Sequence, residues 1–196
     1  MSSVFQTYLQ LGFFHIFNLQ AYDHLVFLLA LCAPYVLQDW RRVVALVTSF
    51  TLGHSLTLAL ATLGFVQYSP ALIEILIPIT IILTCLVNLR QAGQRLNPRA
   101  PIVLTLANAL AASFGLIHGL GFSSYLRELL GHQSRPVLEL LAFNVGVELG
   151  QLLIVSFILI LGFIVLRALR VARRDWLLVV SGAAAGIAAV LLLQHV

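Results

Sequence analysis

The chain contains no lysine, and acidic residues number only seven. All 11 basic residues are arginine, and charged side chains make up 9% of the 196 residues. A soluble domain carries about 25%, so this composition cannot cover a water-exposed surface. Methionine occurs once, as Met1, which excludes a thioether site for Cu(I). The two cysteines, Cys32 and Cys85, stand inside apolar blocks with no C-x-x-C spacing. They read as small buried hydrophobes and not as a disulfide framework. The N-terminus lacks a basic leader and an A-x-A-like cleavage site, so no signal peptide is expected. There is no H-E-x-x-H zinc motif, no long internal repeat and no low-complexity tail. The net charge of +4 does not point to nucleic acid, because the arginines sit in short gaps between apolar blocks and not along one polar face.

What the chain does have is apolar length. Hydrophobic residues make up 61% and the mean hydropathy is +1.03. Blocks of about 18 or more apolar residues read as membrane spans, and in lipid such stretches must be helical. The expected fold is an all-α integral membrane protein, a bundle of six to seven transmembrane helices forming one domain over 1–196. Six spans are expected near 22–38, 43–64, 71–89, 102–122, 138–166 and 176–194, making a core over 22–194. Residues 1–20, with Gln6, Gln10, His15, Asn18 and Gln20, are too polar for a plain span. They are expected to form an interfacial or re-entrant helix, or an additional span. Arg41 and Arg42 lie in the first gap, Arg90, Arg95 and Arg99 in the third, and Arg167, Arg170, Arg173 and Arg174 in the fifth. Only Arg127 and Arg135 fall in an even gap, so the odd-numbered loops are expected to be cytoplasmic. G-x-x-x-G spacing at Gly115/Gly119, Gly146/Gly150 and Gly182/Gly186 permits close helix approach. The first two copies flank polar residues, which suggests that the fourth and fifth spans pack tightly around a polar spot.

Ionisable side chains inside spans cost several kcal/mol unless paired or hydrated, and mark function by default. Here Asp23 and His24 open the first span, His54 lies in the second, Glu74 begins the third, His118 lies in the fourth, and Glu148 lies in the fifth with Asn144 and Gln151 a turn to either side. Under the six-span topology these residues share the outer half of the membrane. Imidazole and carboxylate together suit a divalent metal such as Ni, Co or Zn. His15, Asp23, His24, His54, His118 and Glu148 are the expected ligands. Ser55, Thr51, Asn144, Gln151 and Glu74 are expected to hold them by hydrogen bonds. A lone intramembrane histidine is more often an interhelical hydrogen-bond partner than a ligand; the argument rests on the set. His132, in a loop, and His195, at the C-terminus, are expected to lie outside it.

The strings GFFHI (12–16), DHLVFLLAL (23–31), FTLGHSLTLALA (50–61), FGLIHGLGF (114–122) and FNVGVELGQL (143–152) resemble the HupE/UreJ family of small bacterial membrane proteins, regarded as nickel permeases. The resemblance implies that His15, Asp23, His24, His54, His118 and Glu148 interact with metal. It also implies a multi-pass protein of the bacterial inner membrane, whose partners are the lipid bilayer and a divalent ion, with a homo-oligomer compatible and nucleic acid not expected. Residues 17–22 carry neither the glycine nor the proline usual in the family between its first histidine and the Asp-His pair. A transporter of nickel or a similar divalent metal is the leading expectation. The alternative is an intramembrane zinc-dependent hydrolase open to the outer leaflet, with three histidines on the metal and Asp23 or Glu148 as base. Ceramidase-type membrane hydrolases offer an analogy for it. A sensor or assembly partner is a third class.

Overall fold

The computed structural model describes residues 4–18, 22–94, 101–130 and 136–195. Among these every regular element is helical: α1 Val4–His15, α2 Asp23–Cys32, α3 Trp40–Thr62, α4 Pro70–Arg90, α5 Leu106–Leu130, α6 Pro136–Phe163 and α7 Arg173–Leu193. A 3-10 turn, Leu37–Asp39, leads into α3, and a π-helical segment, Ile164–Ala168, extends α6. The boundaries follow local chemistry. Pro70 and Pro136 stand at the first helical position of α4 and α6, where no amide hydrogen is needed. Thr105 and Asn108 exchange side-chain and backbone hydrogen bonds across the first turn of α5, forming a capping box.

The chain is a helical membrane bundle. Helices α3 to α7, with their short extensions, are long and apolar enough to cross a bilayer. Leu52, Leu56, Phe157, Leu161, Val179 and Val190 point away from the protein, as lipid-facing side chains must. The first expected span, 22–38, is corrected: α2 ends at Cys32 after 10 residues, before Pro34, and reaches roughly 15 Å. Helix α1, with 12 residues, reaches roughly 18 Å. The two share one crossing. The start of α1 packs with Tyr125 and Leu129 at the end of α5. The last turn of α2 and Ala33 pack with Ala92, Trp176 and Leu177 at the opposite end. Arg173 fastens that end by donating to Pro34 O. Helix α1, the described part of the segment expected as an interfacial helix or extra span, therefore supplies half of a broken span.

Helix packing is set by glycine. A Cβ on Gly115 would fall 2.1 Å from Phe50 O, and one on Gly119 2.2 Å from His54 O, so α5 lies backbone against backbone on α3. A Cβ on Gly146 would fall 2.1 Å from Leu9 O, and one on Gly12 2.0 Å from Phe143 O, so α1 lies equally close on α6. The two glycine pairs thus face α3 and α1, and not each other as expected. Gly182 and Gly186 meet nothing within 4 Å. The described arginines divide unevenly. Arg41, Arg42, Arg90, Arg167, Arg170, Arg173 and Arg174 gather at one end, and Arg127, which donates to Ala61 O, lies at the other with the start of α1 and the end of α7. The loop expectations that rest on Arg95, Arg99, His132 and Arg135 lie outside the described residues.

Candidate metal centre

The break in the first crossing brings two chain ends to one place. His15 is the last residue of α1, and Asp23 and His24 open α2. The glycine contact between α3 and α5 delivers His54 and His118 to the same depth. The ring of His24 lies 5.0 Å from that of His15, 5.8 Å from His54 and 5.2 Å from His118. All four histidines are buried, His54 completely. Counting outward from His54, roughly 12 Å of α3 remains to Thr62 and roughly 21 Å to Trp40. The cluster thus lies in the half of α3 nearer Thr62, and the Asp-His pair stands at the break and not at the start of a full-length span.

The five residues form two overlapping triads. His15, His24 and His54 each offer an atom within 4.8 Å of the others, and so do Asp23, His24 and His118. Donors on one ion sit about 2.0–2.2 Å from it, hence at most about 4.4 Å apart. Three equidistant donors are at most about 3.8 Å apart, so each triad would close by up to about 1 Å around an ion. His24 belongs to both, so the set is a pair of alternatives sharing one ligand.

The hydrogen-bond pattern supports a cation-binding role. His24 Nδ1 stands 3.2 Å from Asp23 Oδ1, which also accepts from the His24 amide at 2.9 Å. That contact holds the ring with its hydrogen on Nδ1 and leaves Nε2 a lone pair. Nε2 is buried and has no partner. Thr80 donates its only hydroxyl hydrogen to Ile77 O at 2.7 Å. Its oxygen therefore accepts from His118 Nε2, 3.1 Å away. The lone pair of His118 then lies on Nδ1, which is likewise buried and unpartnered. His15 Nε2 and both ring nitrogens of His54 are in the same condition. Buried polar atoms without partners are rare in native proteins. Five imidazole nitrogens gathered here fit a group of metal ligands whose outer nitrogens are fixed by a carboxylate and a hydroxyl, the usual arrangement around ligating histidine.

Apolar walls enclose the cluster. Phe122 lies 4.0 Å from the ring of His15, centroid to centroid, and Phe27 and Phe50 each 5.2 Å from that of His118. On one side a cavity of about 350 Å³ opens toward the end where α7 finishes, lined by Asp23, His24, His118, Tyr68, Glu74 and His195 among others. At its mouth His195 Nδ1 meets Glu74 Oε2 at 3.3 Å.

The remaining expected residues go elsewhere. Glu148 belongs to neither triad; its Oε1 accepts from Thr48 at 2.7 Å. Thr51 and Gln151 bond each other at 2.7 Å, and Asn144 donates to Leu140 O at 2.9 Å. Of these, Asn144 lies beside His54. Ser55 makes no hydrogen bond to the histidines among the described residues. Glu74 lines the cavity mouth instead of supporting a ligand, and its partner is His195, which was expected to lie outside the site. His132 lies outside the described residues. Thr80 and the aromatic walls went unnoticed in the sequence. A hydroxyl in an apolar block at Thr80 was the available signal.

No curated protein and no solved structure matches the chain significantly. The family model described as HupE / UreJ protein matches residues 1–195, which takes in both half-helices and all five clustered residues. A buried histidine-carboxylate cluster in a helical membrane bundle accords with a family linked to metal transport, and the chain belongs to the HupE/UreJ family.

Proposed function

We propose that the protein moves a divalent transition-metal ion, Ni²⁺ or one of similar preference such as Co²⁺ or Zn²⁺, across the bacterial inner membrane. One observation carries this reading: two triads share His24 at the break of a discontinuous span. Transport sites lie near the midplane, where a helix is interrupted and its half-helix ends face the ion. A set of alternative ligands gives an ion two neighbouring positions, so it can pass from one to the other without losing all its donors. The ion comes in through the cavity past Glu74, exchanges water for Asp23, His24 and His118, and shifts to His15, His24 and His54. The arginine-rich end is cytoplasmic by the positive-inside rule, which makes the cavity mouth external.

A hydrolase is the second reading. Three ligands with one position left for water is the pattern of catalytic zinc, and a 350 Å³ cavity would admit a small substrate. The two readings differ in how the metal is held. Metal analysis of purified protein before and after chelator, together with uptake of radioactive nickel into vesicles containing the protein, separates them. Transport predicts exchangeable metal and uptake that falls at least tenfold in His24→Ala. Stoichiometric metal that survives chelation, with no uptake, would overturn the proposal.

A further inference from the structure

Below the histidines a second polar region lies on the seam between α3 and α6. Asn144, Glu148 and Gln151 fall at i, i+4 and i+7 of α6 and so share one face. Opposite them, Thr48 bonds Glu148 and Thr51 bonds Gln151. Thr48 stands six residues before His54, roughly 9 Å along α3 toward the arginine-rich end. Glu148 and Thr48 therefore stand apart from the triads, while Asn144 reaches toward His54.

Its hydrogen bonds do not close. Glu148 Oε2 and Asn144 Oδ1 are buried without partners. Thr51 has one hydroxyl hydrogen, yet both Val47 O at 3.1 Å and Gln151 Oε1 at 2.7 Å stand where it would go. The conflict disappears when the Gln151 amide is turned over. Nε2 then donates to Thr51 Oγ1, Thr51 donates to Val47 O, and Oε1 becomes the atom left over. Gln151 is fully buried. Two oxygens on one helix face, Glu148 Oε2 and Gln151 Oε1, are then left with lone pairs and no donor, and Asn144 Oδ1 stands on the same face beside His54. No basic side chain pairs with Glu148 among the described residues.

Oxygen donors select hard cations, in contrast to the imidazoles above. Charge selects among those. One carboxylate with otherwise neutral donors is brought to zero by a monovalent ion, whereas a divalent ion would leave a net positive charge in the membrane interior, which is costly. We infer that Glu148, with the oxygens of Asn144, Gln151 and Thr48, forms a binding site for a monovalent hard cation, Na⁺, distinct from the histidine cluster. The inference deepens the transport reading by supplying an ion whose gradient could drive the divalent one, but the site itself does not depend on it.

The test uses purified full-length protein in detergent. Thermal stability is titrated with NaCl against choline chloride at constant ionic strength, and divalent-metal binding is measured in parallel. Na⁺ should raise the Tm of the wild type in a saturable way. In Glu148→Gln the half-saturating Na⁺ concentration should rise roughly tenfold or more, with divalent affinity retained. His24→Ala should do the reverse, losing divalent affinity and keeping the Na⁺ response. If Glu148→Gln does not fold, Thr48→Val serves in its place and should weaken Na⁺ in the same direction. A wild type indifferent to Na⁺ would mean that a proton neutralises Glu148, and the site would be refuted. An unchanged Na⁺ response in both variants, or loss of divalent binding along with it, would refute it as well. Failure of nickel uptake alone would count against transport and leave this site standing.

Discussion

At the residue scale, the uneven sharing of ligands sets an order of effects. His24 serves both triads, while His54 and His118 serve one each. His24→Ala should therefore weaken divalent binding more than His54→Ala or His118→Ala, measured by competition against a chromogenic chelator. Equal losses for all three would contradict the two-triad arrangement. Thr80 acts through His118, since its oxygen accepts from Nε2 at 3.1 Å and fixes the lone pair on Nδ1. Thr80→Val should lower metal affinity about 10- to 100-fold, the usual cost of losing such a partner, and Thr80→Ser should restore it. The sequence made His15, Asp23, His24, His54 and His118 legible because ionisable groups are conspicuous in apolar blocks. It could not separate Glu148 from them, since depth along a helix does not reveal which neighbour a side chain faces.

At the element scale, close backbone contact explains why α3 and α5 hold their histidines in register. The contact leaves no room for a side chain at Gly115. Gly115→Leu should cost about 3 kcal/mol or more, the upper range for overpacking, and lower the Tm in detergent accordingly. Gly182→Leu, at a position with nothing within 4 Å, should stay within about 0.5 kcal/mol of the wild type. Comparable losses in both would remove the packing argument. All three G-x-x-x-G pairs look alike in sequence, and their spacing carries no information about what lies opposite. The broken first crossing was hidden for a related reason. Residues 22–38 are apolar enough to read as one span, and the division into α1 and α2 depends on α6 accepting α1 against Gly146 and Gly150.

At the scale of the whole molecule, the five long helices were legible from apolar length, because a membrane-spanning backbone has few alternatives. The proposed orientation rests on the arginine distribution and can be checked directly. In a background with Cys32 and Cys85 replaced by alanine, a cysteine at Gln67, on the end that carries the cavity mouth, should react with a membrane-impermeant maleimide in intact cells. One at Arg170 should react only after lysis. The opposite pattern would turn the molecule over and make the cavity an exit.

His195 sits beside Glu74 at the cavity mouth, so a tag joined directly behind His195 begins at that opening. A C-terminal polyhistidine purification tag would set a row of extra imidazoles there. It would bind the same metals under assay, blur the stoichiometry and mask the loss expected in His24→Ala. Affinity handles for this protein belong on another segment, or should be cleaved before any metal is measured.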